Sequence, residues 1–231
     1  MKNSIKFLKY IIFIYFFSLT FSIASEVFNF DVTEIEIKEK GERFIGKNGG
    51  TATTLDGTSI KANNFDYNKT SNILVATGNV KINDKENGVV IYSDKIKYFK
   101  NDELILTSGN SKAINEDIEI NADKFSYNKI EDLLNANGDA NIINKKEKYK
   151  IFSDSITYEK QKNNIFSKNN SKAFISNEIS IIADNFNYQI EKNVLNANGN
   201  VLIEDKIDDY TINTQNITYD KNLDRIITEG N

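Results

Sequence analysis

Six tyrosines, Tyr67, Tyr98, Tyr127, Tyr158, Tyr188 and Tyr219, stand 31, 29, 31, 30 and 31 residues apart. Eleven residues after each comes Gly78, Gly109, Gly138, Asn169, Gly199 or Gly230. Seven after each comes Leu74, Ile105, Leu134, Ile165, Leu195 or Ile226, and two before each comes Phe65, Ile96, Phe125, Ile156, Phe186 or Ile217. A fixed period of this length means a stack of similar units, each burying its apolar side against its neighbours. The lone Asn among the glycines is the residue that after Gly best tolerates a left-handed backbone. That position therefore calls for a bulge or tight bend in every unit.

Each unit reads as two strands. Leu74, Ala76, Gly78, Val80 and Ile82 alternate with mostly polar residues, as do Leu134, Ala136, Gly138, Ala140 and Ile142. Leu195, Ala197, Gly199, Val201 and Ile203 make the third such run. Period two puts these on one face of a β-strand. In the preceding strand Ile60 and Ala62 lie on the opposite parity from Phe65 and Tyr67, and Ile120 and Ala122 from Phe125 and Tyr127. A bulge or corner between them returns all four to one side. Two unit types alternate, ANNFDY, ADKFSY and ADNFNY against SDKIKY, SDSITY and TQNITY, so the full structural period is near sixty residues. The aspartates Asp94, Asp123, Asp154 and Asp184 recur at one repeat position, which suits a strand end or turn rather than catalysis. The expected fold is all-β, about six thirty-residue two-strand repeats.

Three segments follow from the pattern. Residues 1–25 carry Lys2, Lys6 and Lys9, an apolar run and a small-residue site at Ser22-Ile23-Ala24, the form of an export signal. An uncleaved anchor is the rival, although the run is short for a full span. Residues 26–58 look like a worn first unit serving as a cap, in which Ile45 and Gly49 keep the spacing. Residues 59–231 are the repeat domain, its last unit incomplete at Gly230-Asn231. Either the sequence continues in a longer protein, or an edge is left open for another strand.

Composition removes several classes of chemistry. The chain has no Cys, His, Pro or Trp, so disulfides, thiolate or imidazole metal sites and histidine-based catalysis are excluded. Without the first 25 residues, 26 basic residues face 33 acidic ones, a formal charge of −7 that argues against a nucleic-acid partner. No catalytic residue, metal ligand or cofactor is expected. A recurring carboxylate is poor evidence for an active site, because a catalytic pair is needed once.

The set of motifs, INADKFSYN followed by LNANGDANI and their counterparts over 59–231, resembles the repeating units of the OstA/LptA family. That family comprises periplasmic lipopolysaccharide-transport proteins and the N-terminal domain of the assembly protein LptD. The resemblance implies an antiparallel β-jellyroll, a folded V-shaped stack of strands whose inner faces form an apolar groove for the acyl chains of lipid A. It further implies edge-to-edge stacking with related domains, self-association into a homo-oligomer, and a periplasmic location that includes association with the outer membrane. Twelve strands shared between two walls would give about six per wall and a trough on the order of 29 Å long.

Set on that fold, the apolar repeat positions give the candidate lining: Phe65, Leu74, Ala76, Val80, Ile82, Ile96, Ile105, Phe125, Leu134, Ala136, Ile142, Ile156, Ile165, Phe186, Leu195, Val201 and Ile203. Ordinary core packing is the competing assignment for every one of them. The alternative architecture is a right-handed β-helix, as in a surface or adhesin stalk, whose coil also suits thirty residues. The two part on strand direction: parallel in the coil, antiparallel in the jellyroll.

Overall fold

The computed structural model describes residues 27–175 and 179–229, so the expected export signal and Gly230 lie outside the described residues. The described chain is strand joined by short turns. Its strands are β1 (Phe28–Lys38), β2 (Arg43–Thr54), β3 (Ser59–Ala62), β4 (Asn64–Asn68), β5 (Ile73–Asp84), β6 (Val89–Phe99), β7 (Leu104–Ser108), β8 (Ser111–Asn115) and β9 (Ile118–Ala122). They continue as β10 (Lys124–Asn128), β11 (Leu133–Asn144), β12 (Tyr149–Glu159), β13 (Asn164–Phe174), β14 (Ile179–Gln189), β15 (Val194–Asp205), β16 (Tyr210–Asp220) and β17 (Arg225–Glu229).

All seventeen belong to one sheet, and every pairing is antiparallel. β3 with β4, β7 with β8, and β9 with β10 are halves of single lines, because both halves pair with the same neighbouring line. Three such joins reduce seventeen segments to fourteen lines of a meander. Parallel neighbours are the mark of the β-helix alternative, and this ladder excludes it.

Near the middle of the long strands the register slips by one residue. Thr77 faces Lys95, but Val80 faces Ser93. Asn137 faces Ser155, but Ala140 faces Ser153, and the same slip recurs between β13 and β14 and between β15 and β16. The extra residue sits on the strand carrying the repeated glycine. Gly138 has φ +81° and Gly199 +79°, and Asn169 takes the same left-handed geometry at +64°. The aspartates sit exposed on the outer side of these bends, Asp123 in the bend between β9 and β10 and Asp94, Asp154 and Asp184 in mid-strand. A Cβ on Gly138 would lie 2.2 Å from Asp123 Oδ2, and one on Gly199 would lie 2.2 Å from Asp184 Oδ2. The Asp123 N–H also donates to the Gly138 carbonyl at 3.0 Å. Gly138→Ala is therefore expected to cost about 2–3 kcal/mol in urea unfolding, combining left-handed strain with a clash. Asn169→Gly should shift stability by no more than about 1 kcal/mol, since backbone relief opposes a looser unfolded chain.

The bends fold the sheet along its length. Laid flat, the ends of a twelve-residue strand such as β5 would be roughly 36 Å apart. Yet the Tyr127 hydroxyl, at the turn end of β10, donates to Asp84 Oδ2 at the far end of β5, 3.3 Å away. Phe28 packs against Tyr67 and Tyr98, and Tyr149 against Tyr188, with ring centroids 5.0, 5.8 and 4.9 Å apart. Two walls thus face each other, joined along one side by the corners: the folded, V-shaped jellyroll. Every line but β17, which pairs only with residues 216–220 of β16 among the described residues, crosses the corner, so each wall receives half of nearly every strand instead of six whole ones. Thirteen spacings of about 4.8 Å make the seam roughly 62 Å long, about twice the sequence expectation.

The sixty-residue alternation has its cause at the corners. In one unit type the inner corner positions are alanine or valine, such as Ala122, Ala136 and Ala140. In the other they are hydroxyls that bond one another and the bent backbone. Thr107 and Ser111 lie 2.6 Å apart, Ser93 donates to the Gly109 carbonyl at 3.1 Å, and the Phe125 N–H donates to Thr107 Oγ1 at 2.7 Å. Ser153, Ser167 and Ser171 repeat the cluster sixty residues later.

Candidate functional site

The seventeen apolar candidates all point inward between the walls and are 0–4% exposed. Phe65, Phe125 and Phe186 alternate with Leu74, Leu134 and Leu195 along one wall. Ile82, Ile142 and Ile203 line the other. The sheet brings them into a single continuous layer together with the repeated tyrosines. In this state the walls are in contact. A gap of about 20 Å³, partly open at the rim, lies beside Val89, Ala113, Ile118, Leu134 and Tyr158, about the size of one water.

Opposite the corners, where strand ends of the two walls approach, lies a mouth closed without covalent links. Two residues after the repeat tyrosine stands a lysine in five of six units: Lys69, Lys100, Lys129, Lys160 and Lys221, with Ile190 in the sixth. Four of them reach across to turns of the other wall. Lys129 Nζ lies 2.7 Å from Asp56 Oδ2, 2.7 Å from Thr58 Oγ1 and 3.9 Å from Asp84 Oδ2. It also lies 3.3 Å from Glu103 Oε2 of its own wall, and Lys100 Nζ lies 3.5 Å from Asp56. Lys160 donates to the Asn87 carbonyl, and Lys221 to the Glu147 carbonyl at 2.8 Å. Lys69 instead lies over the Phe44 ring.

Burial alone would raise the Asp56 carboxyl, but the Lys129 ammonium, the Thr54 hydroxyl and Lys100 outweigh it and hold it far below the ordinary carboxylate range. Glu103 is likewise lowered: its burial is overcome by Lys100, Tyr98 and Lys129. For Lys129 burial acts downward, and Asp56, Asp84 and Glu103 carry the balance upward.

Just inside the mouth, the tyrosine hydroxyls bond a residue five places on. Tyr67 reaches Asn72 at 2.9 Å, Tyr127 Asp132 at 3.2 Å, Tyr188 Asn193 at 3.1 Å and Tyr219 Asp224 at 3.2 Å. Those partners hold the turn's left-handed position, with φ from +47° to +55°. Neither the lysine nor this turn residue was singled out by the sequence reading, although the same cadence marks both. Burial, followed by nearby carboxylates or tyrosines, pushes Tyr158, Tyr188 and Tyr219 up to about 12. A raised folded value stabilises below the unfolded pKa, about 10, and that stability is lost as pH rises through the folded one. Alkaline unfolding is expected between about pH 10 and 12, with tyrosine ultraviolet absorbance rising together with loss of strand circular dichroism.

Among the described residues no three carboxylates converge in a way that could hold a metal ion. Nor does any helix among them have the length and apolar character to cross a membrane, which says nothing about crossing by strands.

No protein-family model matches the chain, and no curated protein matches it in sequence. Among solved structures it is similar to LptH from Pseudomonas aeruginosa, described as the LptA homologous periplasmic component of the lipopolysaccharide transport device. That match is 13% identical, covers 51% of this chain and 86% of the other, and has a TM-score of 0.46. A likeness of that score carries no inference about what this chain binds.

Proposed function

We propose that this chain is a non-enzymatic component of lipopolysaccharide transport, working in the periplasm and shielding lipid A acyl chains between its two walls. The observation that carries the reading is the asymmetry of closure. One long side of the apolar seam is covalent, through the corners, while the other is held by side-chain hydrogen bonds and ion pairs. Such a fold can part at the mouth without breaking strand pairing. Acyl chains entering would exchange wall-to-wall contact for wall-to-lipid contact, each Å² of lipid removed from water contributing about 25 cal/mol. The seventeen inward residues are then core in the closed state and lining in the loaded one. The repeat motifs' resemblance to the OstA/LptA family supports the same lipid.

Residues 26–58 act as the cap of this domain in the proposal, and residues 1–25 as its export signal. Among the described residues β1 pairs only with β2, on one side, and it exposes Ile35 and Ile37. It is the edge we assign to stacking with related domains or a second copy.

The test is co-purification of the mature chain with lipopolysaccharide, challenged with lipid A and separately with the delipidated polysaccharide. Displacement by lipid A alone supports the reading. Retention unaffected by lipid A, or displacement by the polysaccharide, overturns it.

A further inference from the structure

We propose that acyl chains enter through one stretch of the mouth, between Ile190 and the turn at Glu116-Asp117, where the lysine lacing is interrupted. The inference rests on the lipid-shielding reading and specifies where that site opens.

Three independent features coincide there. The first is the lacing itself. Lys129 meets Asp56 at a separation of 73 residues, Lys160 meets Asn87 at 73, and Lys221 meets Glu147 at 74. Applied to the sixth unit, the same offset runs from residue 190 to 116–117. Residue 190 is the one unit position without a lysine, and among the described residues no hydrogen bond or ion pair joins its turn to Glu116 or Asp117. By that offset Ile190 stands where a lysine would reach Glu116 and Asp117, and Asp117 is paired instead with Lys146 of its own wall at 3.8 Å.

The second feature is the height of the rim. β8 ends at Asn115 and β9 begins at Ile118, which leaves a two-residue turn. The turns joining β5 to β6, β11 to β12 and β15 to β16 each have four residues, at 85–88, 145–148 and 206–209. The wall is lowest where the lacing fails.

The third lies one crossing along, between the same short turn and the Lys160 bridge. The cavity of about 20 Å³ is bounded by Val89, Ala113, Ile118, Tyr127, Leu134 and Tyr158, with Lys160 and Asp132 at its polar rim. The Asn115 side-chain Nδ2 is buried beside it with no hydrogen-bond partner. The aliphatic and tyrosine-ring lining accepts a polymethylene chain; the paired Lys160 and Asp132, 3.3 Å apart, keep charge at the rim.

Because the chain contains no cysteine, introduced pairs can be bridged without background. The mature chain carrying Asp117→Cys with Ile190→Cys, closed by a short bismaleimide, is compared with Glu147→Cys and Lys221→Cys closed in the same way. The readout is the uptake rate of lipid A bearing a fluorescent acyl chain. Closing 117 to 190 is expected to slow uptake about tenfold or more, while closing 147 to 221 leaves it within about twofold. Equal rates with and without the 117–190 bridge overturn the portal while leaving the lipid reading standing. No uptake by the unbridged protein overturns both. Ile190→Lys provides a second reading without a cross-link. Restored lacing should slow uptake in a variant with unchanged circular dichroism, and an unaltered rate counts against the proposal.

Discussion

Lys129→Met is expected to lower the unfolding free energy at neutral pH by about 3–5 kcal/mol, although the apolar stem is nearly preserved. The side chains of Lys129 and Asp84 are only 4% and 1% exposed, and Asp56 and Glu103 complete the cluster. Removing the single ammonium leaves three carboxylates near one another with only Lys100 beside them. For a chain of this length the loss corresponds to a fall in Tm of roughly 6–20 °C. Its pH dependence identifies the cause. Asp56 and Glu103 are depressed in the folded protein, so their contribution is complete above the unfolded carboxylate values, about 4, and is lost as pH falls. In Lys129→Met the chief partner depressing Asp56 is gone, while Glu103 keeps Lys100 and Tyr98, so the gap between variant and wild type should be widest near neutrality and shrink below about pH 4. Calorimetry at several pH values checks this. A variant within about 0.5 kcal/mol of wild type at neutral pH would remove the latch from the account of the mouth.

Much of this architecture is written in the repeat because a sheet position repeated every thirty residues meets the same environment each time. Tyr127, Leu134 and Gly138 are legible as tyrosine, inner-face and bend positions from spacing alone. The parity change between Ala122 and Phe125 announced a corner correctly. What the parity could not convey was that nearly every line turns the same corner, so wall length was underestimated by half. The aspartates show the same limit. Asp123 and Asp184 read alike as strand-end or turn residues; Asp123 does occupy a bend, while Asp184 lies mid-strand, packed against the left-handed Gly199. The mouth was missed for a different reason. Lys129 and Asp56 are 73 residues apart, and a charge on a polar turn looks like solvation until the fold places the opposite wall above it. Lining and core, finally, cannot be separated by pattern, since both demand the same inward apolar side chain.

That last ambiguity yields to Phe125→Ala. The ring is 2% exposed and sits across the ladder from Ala136, so little else can move in to fill its place. Without lipid the truncation is expected to cost about 3–5 kcal/mol, the sum of lost transfer energy and an unfilled cavity. If the seam is only core, lipid changes nothing and the deficit persists at every concentration. If the walls part around acyl chains, a chain can occupy the vacated volume, and ligand that binds only the folded state adds about 2.7 kcal/mol at a hundredfold excess over Kd. The variant should then gain more from lipid A than wild type does, narrowing the difference between their melting temperatures. Thermal melts of both proteins across a lipid A titration supply the comparison. Parallel, non-converging curves would mean that Phe125 is core alone and that the chain carries lipid elsewhere or not at all.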